Sequence, residues 1–270
     1  MTMAFFESRG AKLHYEVLGT GPAVLMVHGF TNHGLVWAGQ LADLLVAGYQ
    51  VVLTDLAGHG LSQPAVRKQT VPQLASDIIA LLDHLKIRRA AVCGLSLGGM
   101  IAQVLAADFP ERIGAVVIAN SSAESSDPGT VKEIDAWIDL FEQADGPLKR
   151  LEAVWPKMLN DAYRASPSAA AFKASWRRIV ARIPGSSFAN VARGLQEFNW
   201  SGRLDDIRQP ALVIGSEFDR LFPPSICKQL ADRIAGAELG IIAGGSHLSS
   251  LDSPKPFNEL LLKFFTARNW

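Results

Sequence analysis

The chain has little cysteine and no long hydrophobic run. Its 270 residues include two cysteines, Cys93 and Cys227, and no Cys-x-x-Cys pair. This count excludes a disulfide framework and argues against a zinc site. No apolar segment approaches the roughly 18 residues that a membrane-spanning helix requires. The opening residues, MTMAFFESRG, lack the basic and apolar regions of a signal peptide. We therefore expect a cytoplasmic protein that binds no metal.

The sequence also lacks an excess of charge of either sign. Lysine plus arginine and aspartate plus glutamate both number 26, so the formal net charge at pH 7 is zero. A neutral chain offers no electrostatic reason to bind nucleic acid or an anionic membrane surface. The expected partner is therefore a small molecule.

Short apolar, β-branched segments alternate with amphipathic segments along most of the chain. Such alternation is typical of an α/β fold in which helices flank a mostly parallel sheet. Strands are predicted at 12–19 (antiparallel, near one edge), 23–28, 50–55, 90–95, 115–120, 211–215 and 239–242. Helices are predicted at 35–46, 70–86, 97–109, 224–235 and 254–267.

Residues 121–205 interrupt this alternation. They contain several helix-like stretches and four of the six tryptophans, but no convincing buried strand. In an open α/β sheet, a helical insertion lies over the carboxyl ends of the strands, where ligands bind. The sequence thus predicts a core of residues 1–120 and 206–270, with a helical cap, or lid, at 121–205.

The segment Gly94-Leu95-Ser96-Leu97-Gly98 joins a predicted strand to a predicted helix. With 23 glycines in the chain, Gly-x-Ser-x-Gly arises readily by chance, so the motif alone decides little. In a strand-turn-helix context, however, the pattern indicates a strained elbow that exposes a nucleophilic serine hydroxyl. The alternative is a glycine-rich turn without chemistry.

A nucleophilic serine needs a base, and the base needs an acid to orient it. His247 is the one histidine that follows Ser96 in the sequence, and it comes after the last predicted strand. Asp219, after strand 211–215, is the favoured acid. Glu124, Asp127 and Asp252 are the alternative carboxylates.

The remaining site predictions concern oxyanion stabilisation and substrate binding. The backbone N–H groups of Phe30 and Leu97 are the expected oxyanion donors. Leu248 and the cap tryptophans are candidate substrate contacts, and an acidic substrate would need a cation from the cap. The candidate substrate contacts are Trp137, Trp155, Trp176 and Leu248. The candidate cations are Lys173, Arg177 and Arg178.

Together these segments resemble the α/β-hydrolase superfamily over nearly the whole chain. The resemblance rests on VHGF (27–30), DLAGHGLS (55–62), GLSLGG (94–99), LVIGSEFDRLFPP (212–224) and GGSHL (244–248). It implies an eight-stranded sheet with a helical cap after the sixth strand, and the same triad and oxyanion donors. A serine at position 96 argues against the haloalkane dehalogenase and epoxide hydrolase branches, which carry aspartate there.

Within the superfamily, the chain looks most similar to proteins resembling 3-oxoadipate enol-lactonase and to carboxylesterases. VHGF departs from the Asn-Ser-Leu-Gly that such lactonases often carry. We expect a cofactor-free serine hydrolase that cleaves a small carboxylic ester or lactone through an acyl-enzyme. The alternatives are a carbon–carbon bond hydrolase, a cofactor-free perhydrolase, or a non-catalytic small-molecule receptor of the same fold.

Overall fold

A computed structural model describes residues 4–268 and 270 of the chain. Within this part, eight strands form one sheet in the order β1-β2-β4-β3-β5-β6-β7-β8. β2 runs antiparallel to both of its neighbours, and all other pairs are parallel. The strands are β1 (Ala4–Ser8), β2 (Ala11–Leu18), β3 (Ala23–Val27), β4 (Gln50–Thr54), β5 (Ala90–Leu95), β6 (Ile113–Ala119), β7 (Ala211–Ser216) and β8 (Glu238–Ile242).

The central strands β3, β5 and β6 are buried along their whole length. Continuous apolar strands are expected where helices cover both faces of a parallel sheet. The covering helices are α1 (Ala38–Val46), α2 (Val71–His84), α3 (Leu97–Asp108), α9 (Pro224–Arg233), α10 (Ser249–Asp252) and α11 (Pro254–Ala267). The parallel strands therefore end at one edge of the sheet, which places the loops after them side by side.

Five further helices lie between β6 and β7 in the chain. They are α4 (Pro128–Phe141), α5 (Gly146–Met158), α6 (Asp161–Arg164), α7 (Pro167–Val180) and α8 (Gly185–Leu195). Their burial follows amphipathic stripes, such as Ile134, Ile138 and Phe141 on α4. No helix in the described part of the chain is long and apolar enough to cross a membrane.

The fold class predicted from the sequence is confirmed, with two local differences. The segment predicted as one helix over 35–46 is a 3-10 turn, Gly34–Trp37, followed by α1. The sequence analysis missed β1, which pairs with β2 through a two-residue turn at Arg9 and Gly10, both at positive φ. A glycine in a two-residue connection is a hairpin signal, although the five-residue strand before it is short.

Because three of its histidines are buried, we expect this fold to lose stability in mild acid. Burial is the main cause that lowers the pKa of His28, of His33 to about 4 and of His59 to about 3, from an ordinary value of 6.5. Below pH 6.5 the unfolded chain therefore binds protons that the folded chain does not. The stability present above pH 6.5 is lost as the pH falls towards the folded-state values, by on the order of 2 kcal/mol each for His33 and His59 at pH 5.

Urea unfolding at pH 8, 7, 6 and 5 measures this effect. The free energy of unfolding should fall with pH in the wild type, and His59→Gln should make that fall shallower. Each protein is compared with its own value at pH 8, so the fixed cost of the substitution cancels. Equal pH dependence in the two proteins would contradict the assignment to His59.

Candidate active site

Ser96 lies at a sharp turn between β5 and α3. Its backbone has φ 56° and ψ −117°, a strained conformation for a non-glycine residue. A Cβ at Gly94 would overlap the backbone of Gly98, and a Cβ at Gly98 would overlap the backbone carbonyl of Val27. Both positions therefore require glycine because other backbone comes too close. The strain and these two close approaches together hold the Ser96 side chain at the carboxyl edge of the sheet.

Asp219 and His247 form a buried pair at the same edge, in the loops after β7 and β8. His247 Nδ1 lies 2.9 Å from Asp219 Oδ2, and the two residues are 2% and 3% exposed. The backbone N–H groups of Leu221 and Phe222 donate to Asp219 Oδ1, and Asn120 Nδ2 donates to Oδ2 at 2.9 Å. Every group around this carboxylate is thus a donor.

The environment of Asp219 favours its ionised form. Burial alone would raise the pKa of this carboxyl, but the charge and hydrogen bond of His247 and the other donors outweigh burial and lower it. Asp219 is therefore a carboxylate at neutral pH, which accepts a hydrogen bond from the Nδ1–H of His247. This hydrogen bond fixes the ring so that Nε2 can act as an acceptor.

The sequence analysis missed Asn120, the residue that follows β6. It has a positive φ of 45° and joins Asp219, Ser216 Oγ and Ser249 Oγ through its amide. The signal available from the sequence was its place at the end of a strand beside the elbow strand, since such loops meet at one edge.

The loop after β3 passes directly beside Ser96. A Cβ built on Gly29 would lie 3.1 Å from the Ser96 Cβ. Within residues 4–268 and 270, the backbone N–H groups of Phe30 and Leu97 donate no hydrogen bond. Both residues line the same cavity as Ser96.

His28 holds the peptide that carries the Phe30 N–H. Its Nδ1 donates to the Gly29 carbonyl at 2.8 Å, and its Nε2 accepts from the Leu56 N–H at 3.0 Å. Burial keeps this ring neutral, as its lowered pKa indicates. Because the Gly29 carbonyl and the Phe30 N–H share one peptide plane, the imidazole orients the donor.

Ser96, His247, Phe30 and Leu97 line one cavity. The empty space within it, its open mouth included, is about 860 Å³. Of the substrate contacts predicted from the sequence, Trp137 and Leu248 also line this cavity. It is therefore built from both the sheet loops and the inserted helices.

Trp155 and Trp176 do not line the cavity, contrary to the prediction. Their rings pack together inside the inserted helices, with centroids 6.2 Å apart. Trp176 is fully buried, and its Nε1 donates to the Thr31 carbonyl at 2.7 Å. These two side chains fill the interior because they lie on helix faces that pack against neighbouring elements.

The cations predicted for an acidic substrate also lie elsewhere. Lys173 and Arg177 both pair with Glu152 on the surface, and Arg178 is exposed. The cation that lines the cavity is Arg150, which the sequence analysis missed. Its place four residues before the buried Val154 is a signal of a shared helix face.

The alternative acids do not contact the His247 ring. Asp252 accepts from the backbone N–H groups of Asn160 and Ser246. Asp127 caps the start of α4, and Glu124 is exposed at the cavity rim. Among residues 4–268 and 270, no cluster of three histidine, cysteine or acidic side chains could hold a metal ion.

Comparisons with known proteins agree with this architecture. The chain is 31% identical to 3-oxoadipate enol-lactonase 2 of Acinetobacter baylyi, covering 94% of this chain and 94% of that one. It is 29% identical to a RutD protein of Azorhizobium caulinodans that is named for carbamate hydrolysis, covering 97% of this chain and 98% of that one.

A solved enol-lactonase from Burkholderia xenovorans superposes with a TM-score of 0.89 at 26% identity, covering 97% of this chain and 100% of that one. The names of these relatives support a hydrolytic activity. The family profile of the α/β-hydrolase fold matches residues 22–254. Because this match spans well over half of its length, the chain belongs to the α/β-hydrolase family.

Proposed function

We propose that the protein is a serine hydrolase that cleaves a small carboxylic ester or lactone through an acyl-enzyme. The observation that carries the proposal is the convergence of a strained Ser96 and the buried Asp219–His247 pair on one cavity. Nucleophile, acid and base follow β5, β7 and β8, which is the chain order typical of α/β hydrolases.

In this mechanism the Ser96 Oγ attacks the acyl carbon while His247 Nε2 takes the hydroxyl proton. The imidazolium then gives this proton to the leaving alkoxide, and the acyl group stays on Ser96. The alcohol of an ester departs, whereas the hydroxyl group released from a lactone stays attached to the acyl chain. Water attacks the acyl-enzyme with His247 as base, which releases the acid and restores the serine. Asp219 stabilises the imidazolium in both halves of the reaction.

The free N–H groups of Phe30 and Leu97 are proposed to bind the oxyanion of each tetrahedral intermediate. Preorganised backbone donors stabilise charge that develops in the transition state without reorganising. Leu97 is the first residue of α3, so the positive end of the helix dipole acts on the same oxygen.

We further propose that residues 121–205 act as a cap on a core of residues 1–120 and 206–270. Trp137 and Arg150 reach the cavity from the inserted helices, while Leu248 reaches it from the core. The hydrogen bond from Trp176 to Thr31 links the cap to the loop that carries Phe30. Trp137 and Leu248 are the proposed apolar contacts of the substrate.

Carbamate hydrolysis is a second candidate, favoured by the names of the RutD relatives. A carbamate presents an acyl carbon to the same nucleophile, so the proposed residues keep their roles. Turnover of matched methyl esters, lactones and methyl carbamates separates the two candidates, and we expect the esters or lactones to be preferred.

Labelling with a fluorophosphonate probe tests the proposed nucleophile. We expect one adduct per chain, and digestion followed by mass spectrometry should place it on Ser96. Ser126→Ala, which removes a serine outside the cavity, should label as the wild type does, and heat-unfolded protein should not label. An adduct on any other residue would reject Ser96 as the nucleophile.

A further inference from the structure

The cavity contains a buried cation that has no acidic or hydrogen-bonding partner in the described part of the chain. Arg150, on α5, is 8% exposed, and its Nε is buried without a hydrogen-bond partner. Within residues 4–268 and 270, its guanidinium forms no ion pair and no hydrogen bond. Burying an unpaired cation costs free energy, because the protein does not replace the water that the guanidinium loses. The protein therefore leaves hydrogen-bond donors of this buried cation unpaired.

Trp137 positions the guanidinium inside the cavity. The Arg150 Cζ lies 4.5 Å from the centre of a Trp137 ring, within the range of a cation–π contact. The same tryptophan stacks on Phe30, with ring centroids 6.0 Å apart and an angle of 24° between planes. Arg150 is therefore held one aromatic side chain away from the residue that carries a proposed oxyanion donor.

One acidic residue acts on the charge of Arg150 but does not form an ion pair with it. Glu133, on α4, also lines the cavity, and its charge acts on Arg150 without an ion pair. The Glu133 side chain is exposed, so solvent and salt screen its field. Although burial lowers the pKa of Arg150 to about 10, the side chain keeps its charge at neutral pH.

We propose that Arg150 binds a carboxylate of the substrate, so that the enzyme acts on esters or lactones that carry a second, anionic carboxylate group. This inference rests on the proposed serine hydrolase function, and it goes further by assigning the substrate a charge. A guanidinium and a carboxylate form two parallel hydrogen bonds, which satisfy the donors that the protein leaves free. The apolar surface beside them, including Trp137, excludes water and strengthens the pair.

Matched pairs of charged and neutral esters test the proposal. The probes are the monomethyl esters of succinate, glutarate and adipate, each paired with the ester whose free carboxylate is replaced by a carboxamide. The wild type should show kcat/KM about 10- to 100-fold higher for at least one acid than for its amide, as expected for a charge-assisted pair. No preference for the acid at any chain length would overturn the proposal.

Arg150→Met should remove this preference by lowering kcat/KM for the acid, with the amide changed less than about threefold. Arg178→Met is the matched control, because it removes an exposed cap arginine, and it should keep the wild-type ratio. An equal loss for acid and amide would assign Arg150 a packing role instead. If Arg150→Met does not fold, Arg150→Lys, which keeps the charge without the bidentate geometry, should give an intermediate ratio.

Direct binding separates failure of this inference from failure of the proposed hydrolysis. Calorimetry with Ser96→Ala measures binding of monomethyl glutarate and of its amide without turnover. Tighter binding of the acid that is lost in Ser96→Ala/Arg150→Met supports the carboxylate site even if no ester is hydrolysed. Equal binding of acid and amide would contradict the site even if hydrolysis by Ser96 is established.

Discussion

Replacing Ser96 with alanine is expected to lower kcat for ester hydrolysis by about ten thousandfold or more. The loss follows from removing the only proposed nucleophile, so that acyl-enzyme formation stops and only water attack on a bound ester remains. The cavity and oxyanion donors stay in place, and the substrate should still bind with a similar dissociation constant. The measurement is single-turnover and steady-state hydrolysis of a methyl ester, together with equilibrium binding.

The control for Ser96→Ala is Ser126→Ala, because Ser126 does not line the cavity and its hydroxyl donates to Glu124 at the cavity rim. This variant should keep wild-type kcat within about threefold, as is usual for surface substitutions away from a site. A Ser96→Ala enzyme that retains a tenth or more of wild-type turnover would exclude the acyl-enzyme mechanism. A wild type without turnover on esters, lactones and carbamates would instead favour the receptor alternative.

Replacing Asp219 with asparagine is expected to lower kcat by about a thousandfold to ten thousandfold. The four groups around this carboxylate, from Asn120, Leu221, Phe222 and His247, all donate hydrogen bonds to it. An asparagine amide has one oxygen and one NH₂ group. Its N–H donors must therefore face either the N–H groups of Leu221 and Phe222 or the donors of Asn120 and His247. Facing His247, the amide would favour a proton on Nε2, and the imidazole could then no longer accept the proton of Ser96.

Asp252→Asn is the matched control for Asp219→Asn. Asp252 is a half-buried acid that accepts hydrogen bonds from backbone N–H groups and does not contact the His247 ring. We expect less than a tenfold loss of kcat for this variant. Crystal structures or nitrogen chemical shifts of His247 would report the tautomer in each protein. A larger loss for Asp252→Asn than for Asp219→Asn would make Asp252 the acid.

The local patterns of the sequence predicted most of the sheet and the helices that flank it. Apolar strands, amphipathic helices and helix caps depend on short stretches of neighbouring residues, as at Thr70 and Gln73, which form a capping box at the start of α2. The strand β1 was not predicted, because five residues are too few to show a clear alternation of apolar and polar side chains. Ser96, Asp219 and His247 could be chosen together because parallel strands end at one edge, although their joint role in catalysis stays a prediction.

The residues that line the cavity could not be predicted in the same way. Trp137, Trp155 and Trp176 all lie on amphipathic helices, and periodicity gives each helix a buried face without saying whether that face meets a neighbouring helix or a cavity. The same limit led to Lys173, Arg177 and Arg178 instead of Arg150. A long cationic side chain on a helix surface is normally solvated, and only packing with other elements encloses it.

The sequence by itself therefore determined the fold class, the strained turn at Ser96 and the order of the candidate nucleophile, acid and base, because each depends on local pattern and chain order. The tertiary structure alone decided that Trp137 and Arg150 line the cavity, that Trp155 and Trp176 fill the interior, and that Asn120 supports Asp219. Those outcomes depend on how separate segments pack against one another, which no local stretch of the chain encodes.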